Sequence, residues 1–196
     1  MKDIPIKDAA TVLLIRGHGD ARSVLMGQRG RNAVFMPGKF VFPGGGVEAG
    51  DLTAPSTARL SMDCNRRLGL EAPPDVACAL PMAALRELTE ETGLGLKPDA
   101  SLRFAFRAVT PPARPRRFDA RFFVVDAGEI AGDPDDFSRA EGELSHLQWV
   151  PLAAARDFDL PFVTRIVLAE VTLTDLPNYV PFYDHRGPVG RVRALR

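Results

Sequence analysis

The chain has 196 residues and a mass of 21.3 kDa, enough for one domain that needs no disulfide or structural metal to hold its core. Its 25 basic residues balance 25 acidic ones, which argues against a general binder of nucleic acid or membrane surfaces. The two cysteines, Cys64 and Cys78, and the three scattered histidines complete no zinc-site spacing, so both thiols are expected to pack as small apolar groups in a reducing compartment. The opening Met1-Lys2-Asp3-Ile4-Pro5 lacks a signal-peptide run and no apolar stretch reaches the length of a membrane span, so the expected location is cytoplasmic.

Along the chain, Ala9 to Arg16 is a short apolar, β-branched run closed by Gly17-His18-Gly19-Asp20, and Ser23 to Gln28 reads as its hairpin partner. Met36-Pro37-Gly38 breaks the chain before a strand over Lys39 to Phe42, which opens into Pro43-Gly44-Gly45-Gly46. Ser56 or Thr57 could cap a helix running to about Leu68, and Asp75 could cap the next. Ala83 to Thr92, rich in Ala, Leu and Glu and stopped by Gly93, is the strongest helix; Pro81 either precedes it or kinks a longer one. Leu102 to Val109 and Phe118 to Asp126 have strand character, with Phe118 and Phe122 expected in the core. An acidic loop follows to Glu143, then a strand over His146 to Val150, a short helix over Pro151 to Arg156 and a helix from Leu160 to about Leu173. Residues 177–196 are expected to be an irregular tail whose arginines are mobile.

The chemistry is concentrated in Arg86-Glu87-Leu88-Thr89-Glu90-Glu91-Thr92-Gly93-Leu94. On a helix, Glu87, Glu90 and Glu91 share one face within a turn, where three like charges repel. A hard divalent cation such as Mg²⁺ or Mn²⁺ would resolve that conflict, since such ions take oxygen ligands. Arg86, four residues before Glu90, is close enough to orient it. Upstream, the cluster in Phe42-Pro43-Gly44-Gly45-Gly46-Val47-Glu48-Ala49-Gly50-Asp51 leaves backbone that a ligand can approach closely.

Taken together, the two segments resemble the Nudix hydrolase signature. Every fixed position from Arg86 to Leu94 matches, and Gly45 and Glu48 fit the first half. Two departures stand out: Asp51 replaces the glutamate expected six residues after Gly45, and residues 52–85, 34 in number, stand where the signature has seven. The chain thus resembles a single Nudix domain over 1–196, interrupted inside its box by an insertion at about 52–80; loop-closure entropy grows slowly enough with length to allow this. The interrupted box, together with Arg29 to Phe42 and Thr110 to Phe123, resembles the coenzyme A and acyl-coenzyme A diphosphatase branch.

The resemblance implies an α/β fold, the Nudix α/β/α sandwich with a mixed sheet between helices, and a diphosphatase that works with Mg²⁺ or Mn²⁺. It would place metal on Glu87, Glu90, Glu91 and the Gly45 carbonyl, with Arg86 beside them to orient Glu90. The general base would be a box glutamate or a carboxylate of a later loop, with Glu143 the leading outside candidate and Glu141 the next. Arg114, Arg116 and Arg117 belong to a local basic cluster with Arg121, and arginine suits bidentate phosphate recognition. The expected substrate is a small-molecule diphosphate, coenzyme A or acyl-coenzyme A first, giving 3′,5′-ADP and 4′-phosphopantetheine or its acyl form. The alternatives are ADP-ribose, NADH or another nucleoside diphosphate derivative, and a non-enzymatic Nudix-fold regulator comes third. No nucleic-acid or membrane partner is expected, and the insertion could serve a homodimer interface.

Overall fold

The computed structural model describes residues 4–54, 60–112, 114–172 and 178–196. Its spine is strand β1 (Ile6–Arg16), the expected apolar run extended by three residues at its start. It forms the predicted antiparallel hairpin with β2 (Ser23–Arg29), which pairs in turn with the short β3 (Phe40–Val41). The glycine cluster becomes β4 (Gly44–Gly46), paired with Ala9, Ala10 and Thr11 of β1.

The expected capping residues Ser56 and Thr57 lie outside the described residues. Helix α1 (Met62–Leu68) is instead capped by Ser61, whose Oγ accepts the Cys64 N–H. Helix α2 (Pro74–Thr92) is the longer of the two alternatives, containing Pro81 and ending at Gly93 with φ +75°. Residues 74–80 of the expected insertion are therefore the first turns of the helix that carries the glutamates. Because α2 buries Ala79, Leu80, Ala83 and Ala84, it turns Cys78 outward; that thiol is exposed, contrary to expectation, whereas Cys64 is buried.

The chain continues through β5 (Gly95–Leu96), β6 (Arg103–Val109), β7 (Arg117–Asp126), β8 (Ile130–Ala131) and β9 (Leu144–Pro151). The stretch expected to be helical after Pro151 is a turn followed by a single 3-10 turn at Ala155–Asp157, and helix α3 spans Phe162–Thr172. Then come β10 (Val180–Asp184) and β11 (Arg191–Leu195). The main sheet runs β11-β10-β6-β7-β1-β2-β3, with β4 also on β1 and β9 also on β2; β5 and β8 form a separate pair. It is mixed: β7 runs parallel to β1, as β10 does to β6, and the other pairs are antiparallel.

Alternation along β1 builds a core on each face. Val12 and Leu14 pack with Phe104, Phe123, Phe182 and the helical residues Leu68, Leu80, Ala84 and Leu88. Leu13 packs on the other side with Met26, Phe106 and Phe122, beneath Val167, Leu168 and Val171 of α3. The sheet thus lies between helical layers, as the resemblance implied. No helix among the described residues is long and apolar enough to cross a membrane.

Two expectations for arginine fail. Arg121 is not part of an exposed basic cluster: it is fully buried beside Asp119 and pairs with Asp8 at 2.5 Å, while Arg107 takes Asp119 at 2.7 Å. Along β7, Arg117, Asp119 and Arg121 alternate with Phe118, Ala120 and Phe122, so the charges share one face. The last twenty residues are not an irregular tail either. Val180, Pro181 and Phe182 are buried, and the guanidiniums of Arg107, Arg193 and Arg186 lie 4.3, 4.5 and 5.3 Å from the Phe182 ring centroid.

Arg186 and Arg193 also meet Asp184 and Glu71, the latter in the connection between α1 and α2. Arg107 donates to the Leu70 and Glu71 carbonyls, so the connection between α1 and α2 is tied to the sheet at both backbone and side chain. The Arg193 guanidinium, hydrogen-bonded to Glu71 and joined by Arg186, holds the Glu71 carboxyl down at about 2 from an ordinary 4.5. The resulting stability is complete above about pH 4.5 and is lost as pH falls toward 2. Urea unfolding of Glu71→Gln should therefore show a loss of stability at neutral pH, with the difference from wild type closing across that interval.

Candidate active site

The glycine strand β4 is hemmed in on two sides, by the β1 backbone at Gly44 and by a carboxylate of α2 at Gly45. A Cβ at Gly44 would meet the Ala10 carbonyl, and one at Gly45 would overlap the Glu87 carboxylate. The Gly44 N–H donates to Glu91 Oε2 at 2.8 Å, joining the loop to a carboxylate that is 2% exposed.

Arg86 organises the other carboxylates. Its Nε and Nη2 donate to the two oxygens of Asp51, each at 3.1 Å, and Nη2 also donates to the Gly46 carbonyl at 2.9 Å. Its Nη1 donates to Glu87 Oε1 and Glu90 Oε2, both at 2.9 Å. Asp51 is buried and also accepts the Glu48 N–H at 2.8 Å, so the shorter acid found in place of glutamate sits directly against Arg86. The guanidinium is the cation shared by this cluster; among the described residues no three His, Cys, Asp or Glu side chains are already gathered around a metal-sized position.

The electrostatics record the strain of crowding acids. Burial, reinforced by Glu87 and Glu143 and opposed by the Gly44 N–H and Arg29, pushes the Glu91 carboxyl up to about 8. Burial also raises Glu87, against the pull of Arg86. Arg86 is desolvated, yet its bonds to Asp51 and Glu87 hold it above the ordinary guanidinium value.

A cleft of about 690 Å³ opens beside this cluster, with Gly44, Gly45, Gly46, Glu87 and Glu143 in its lining. Phe35, Met36, Phe42, Phe118, Phe122 and Val163 give it apolar wall, and Phe35 meets Phe118 edge-on with ring centroids 5.3 Å apart. Phe122 thus serves both core and cleft, whereas Phe118 belongs to the wall.

The structure brings Gly45, Arg86, Glu87, Glu90, Glu91 and Glu143 into one neighbourhood, although Arg86, Glu90 and Glu91 lie outside the cleft lining itself. Arg116 is exposed at the cleft. Arg117 also lines it, but its guanidinium is engaged with the Thr110 carbonyl at 3.1 Å and the His185 carbonyl at 2.5 Å. Arg114 is exposed and is not a lining residue. Sequence reasoning missed Arg29, which lines the cleft and pairs with Glu143 at 2.8 Å across 114 positions of chain. The only sequence signal was its place at the end of a strand leading to the glycine cluster.

The family model of the NUDIX domain matches residues 79–171. Among solved structures, the chain is similar to a NUDIX hydrolase from Alicyclobacillus acidocaldarius, with 27% identity over 86% of this chain and 92% of that one and a TM-score of 0.66. A MutT NUDIX hydrolase from Burkholderia pseudomallei follows at 21% identity, 85% and 98% coverage and a TM-score of 0.52. The NUDIX domain of Shewanella oneidensis NrtR, complexed with ADP ribose, is similar at 14% identity, 84% and 85% coverage and a TM-score of 0.53. The comparison with curated proteins found no match.

The chain therefore has the Nudix fold, and its residues 79–171 match the NUDIX domain model. The domain match and the Nudix hydrolase neighbours support a hydrolase acting on pyrophosphate bonds, and hydrolases of that kind generally use divalent metal ions. Because a methyl group at Gly45 must displace Glu87, Gly45→Ala should lower kcat by about a hundredfold while the melting temperature stays close to wild type. Steady-state kinetics and a thermal scan on the same preparation check both halves.

Proposed function

We propose that the chain hydrolyses a diphosphate linkage in a nucleoside diphosphate derivative with Mg²⁺ or Mn²⁺, and that coenzyme A or an acyl-coenzyme A is the leading substrate. The observation that carries this reading is one cleft lined by the glycine backbone, Glu87 and Glu143, an exposed arginine and an extensive apolar wall. A substrate with a diphosphate, a further phosphate and a long, largely uncharged arm matches all three. The products are 3′,5′-ADP and 4′-phosphopantetheine, or its acylated form.

The donor set fits a hard divalent cation. Glu91 and Glu87 are both pushed toward their neutral forms by burial, a tendency that a cation among their oxygens would reverse. Glu87, Glu90, Glu91 and the Gly45 carbonyl are the groups that would hold it. Once bound, such an ion polarises phosphoryl oxygens and lowers the pKa of coordinated water.

This chain's residues supply the remainder of the chemistry. Arg86 fixes Glu87 and Glu90 through one nitrogen and the glycine strand through another, so donors from two segments keep a common position. Arg116 offers a guanidinium to a phosphate at the cleft, while Arg117 shapes the wall through its carbonyl bonds. Glu143, in the same cleft as Glu87, accepts the proton of the attacking water.

Glu87→Gln and Glu90→Gln should each lower kcat by several orders of magnitude; near-normal turnover in both would refute the ligand assignment. Glu143→Gln should lower kcat by about 10²- to 10⁴-fold, and full activity across pH in this variant would remove Glu143 as the base. The substrate is tested by anhydride hydrolysis across coenzyme A, acetyl- and long-chain acyl-coenzyme A, ADP-ribose, NADH and nucleoside diphosphate sugars, with chelator controls. Metal-dependent release of 3′,5′-ADP at the highest kcat/KM is expected; a preference for ADP-ribose or NADH would keep the chemistry and replace the substrate.

A further inference from the structure

We infer that Arg29 is a positioning residue for Glu143, held in place by a bulge in the strand pair that carries both groups. The inference rests on the reading of Glu143 as the base. From Met26 to Gln28, β2 advances two residues while its partner β9 moves three, from Gln148 to Ser145, so β9 contains an extra residue. His146 within that step has φ +51°, a left-handed conformation that a non-glycine residue adopts at a cost. Beyond the bulge the strands pair again as Arg29 opposite Leu144, and Glu143 is the residue before Leu144. Bulges commonly re-aim side chains beside active sites.

The backbone around Arg29 is fixed on its other side as well. Its N–H donates to the Lys39 carbonyl at 2.9 Å and its carbonyl accepts the Gly38 N–H at 3.2 Å, closing the turn that carries Met36. Gly27 makes the bulge possible, because a Cβ there would lie 2.8 Å from Leu144 Cβ and 2.9 Å from Leu147 Cδ2. From this anchored strand the Arg29 side chain, only 18% exposed, reaches Glu143, whose carboxylate is 58% exposed. An acid that open to solvent keeps many rotamers unless something restrains it, and Arg29 restrains it by an ion pair at 2.8 Å. Arg29 Nε is buried with no hydrogen-bond partner among the described residues, so the side-chain hydrogen bond described for this guanidinium is the one from Nη2 to Glu143.

The test is a double-mutant cycle on the diphosphate substrate that wild type hydrolyses best, with melting temperatures recorded for every variant. Arg29→Met should lower kcat by about tenfold to a hundredfold with KM changed less than about threefold, and Arg29→Lys should recover most of the loss. Arg29→Met combined with Glu143→Gln should be no slower than Glu143→Gln alone. Gly27→Ala, which must push Leu144 and Leu147 while leaving the arginine in place, should reproduce the fall in kcat, so the inference does not depend on one variant folding. A normal kcat in Arg29→Met, a loss that multiplies with Glu143→Gln, or a rise in KM at unchanged kcat would overturn the positioning role while leaving the base assignment intact. A normal kcat in Glu143→Gln would overturn both.

Discussion

The site depends on one guanidinium. The chain leaves Asp51, travels through residues 52–85 and returns at Arg86, where five donated hydrogen bonds reconnect the two ends. Asp51 and the Gly46 carbonyl come from before the excursion, Glu87 and Glu90 from after it. Partly buried ion pairs such as Arg86 with Asp51 and Glu87 gain little net stability, because desolvation consumes much of the attraction. Breaking one is costly all the same, since the remaining charges are left without partners. The arrangement therefore contributes definition more than stability: it specifies which loop meets which helix face.

The long interruption between those ends is itself restrained. Its later part is the beginning of α2, and Arg107, Arg186 and Arg193 secure the connection around Leu70 and Glu71 to the far side of the sheet. Glu71 has φ +59°, a strained value held by contacts to β6 and β11 residues that are distant in sequence. A connection of that length would otherwise be a source of slack beside the helix that carries the clustered carboxylates.

What could be read from the sequence was local. The carboxylate face of α2, the glycine strand and the first hairpin each announce themselves over short contiguous stretches, through helical spacing, missing side chains or apolar runs flanking a turn. What escaped reading depends on partners far along the chain. Arg121 looked exposed because its neighbours Arg114, Arg116 and Arg117 suggested a basic patch; Asp8, the acid that admits it to the interior, is 113 positions away. The final strands were hidden because Pro181 and four arginines read as irregular, while the Glu71 carboxylate that neutralises two of them lies 115 and 122 positions upstream. Arg29 escaped because its partner Glu143 lies 114 positions away and is brought beside it by a register shift between β2 and β9.

The alternation of β7 carries a consequence for how the sheet finds its alignment. Ten residue pairs run in parallel from Ile6–Arg117 to Ile15–Asp126. Sliding β7 by one residue would turn Phe118 and Phe122 toward the charged side and strip Asp119 from between Arg107 and Arg121. The same slip would point two guanidiniums into the apolar cleft wall and the core beneath α3. An ordinary amphipathic strand is penalised once for a wrong alignment, by exposing its apolar face. This one is penalised on both faces, by unpaired charge and by misplaced aromatic rings, so the strand that borders the cleft carries a built-in proofreading of its own register.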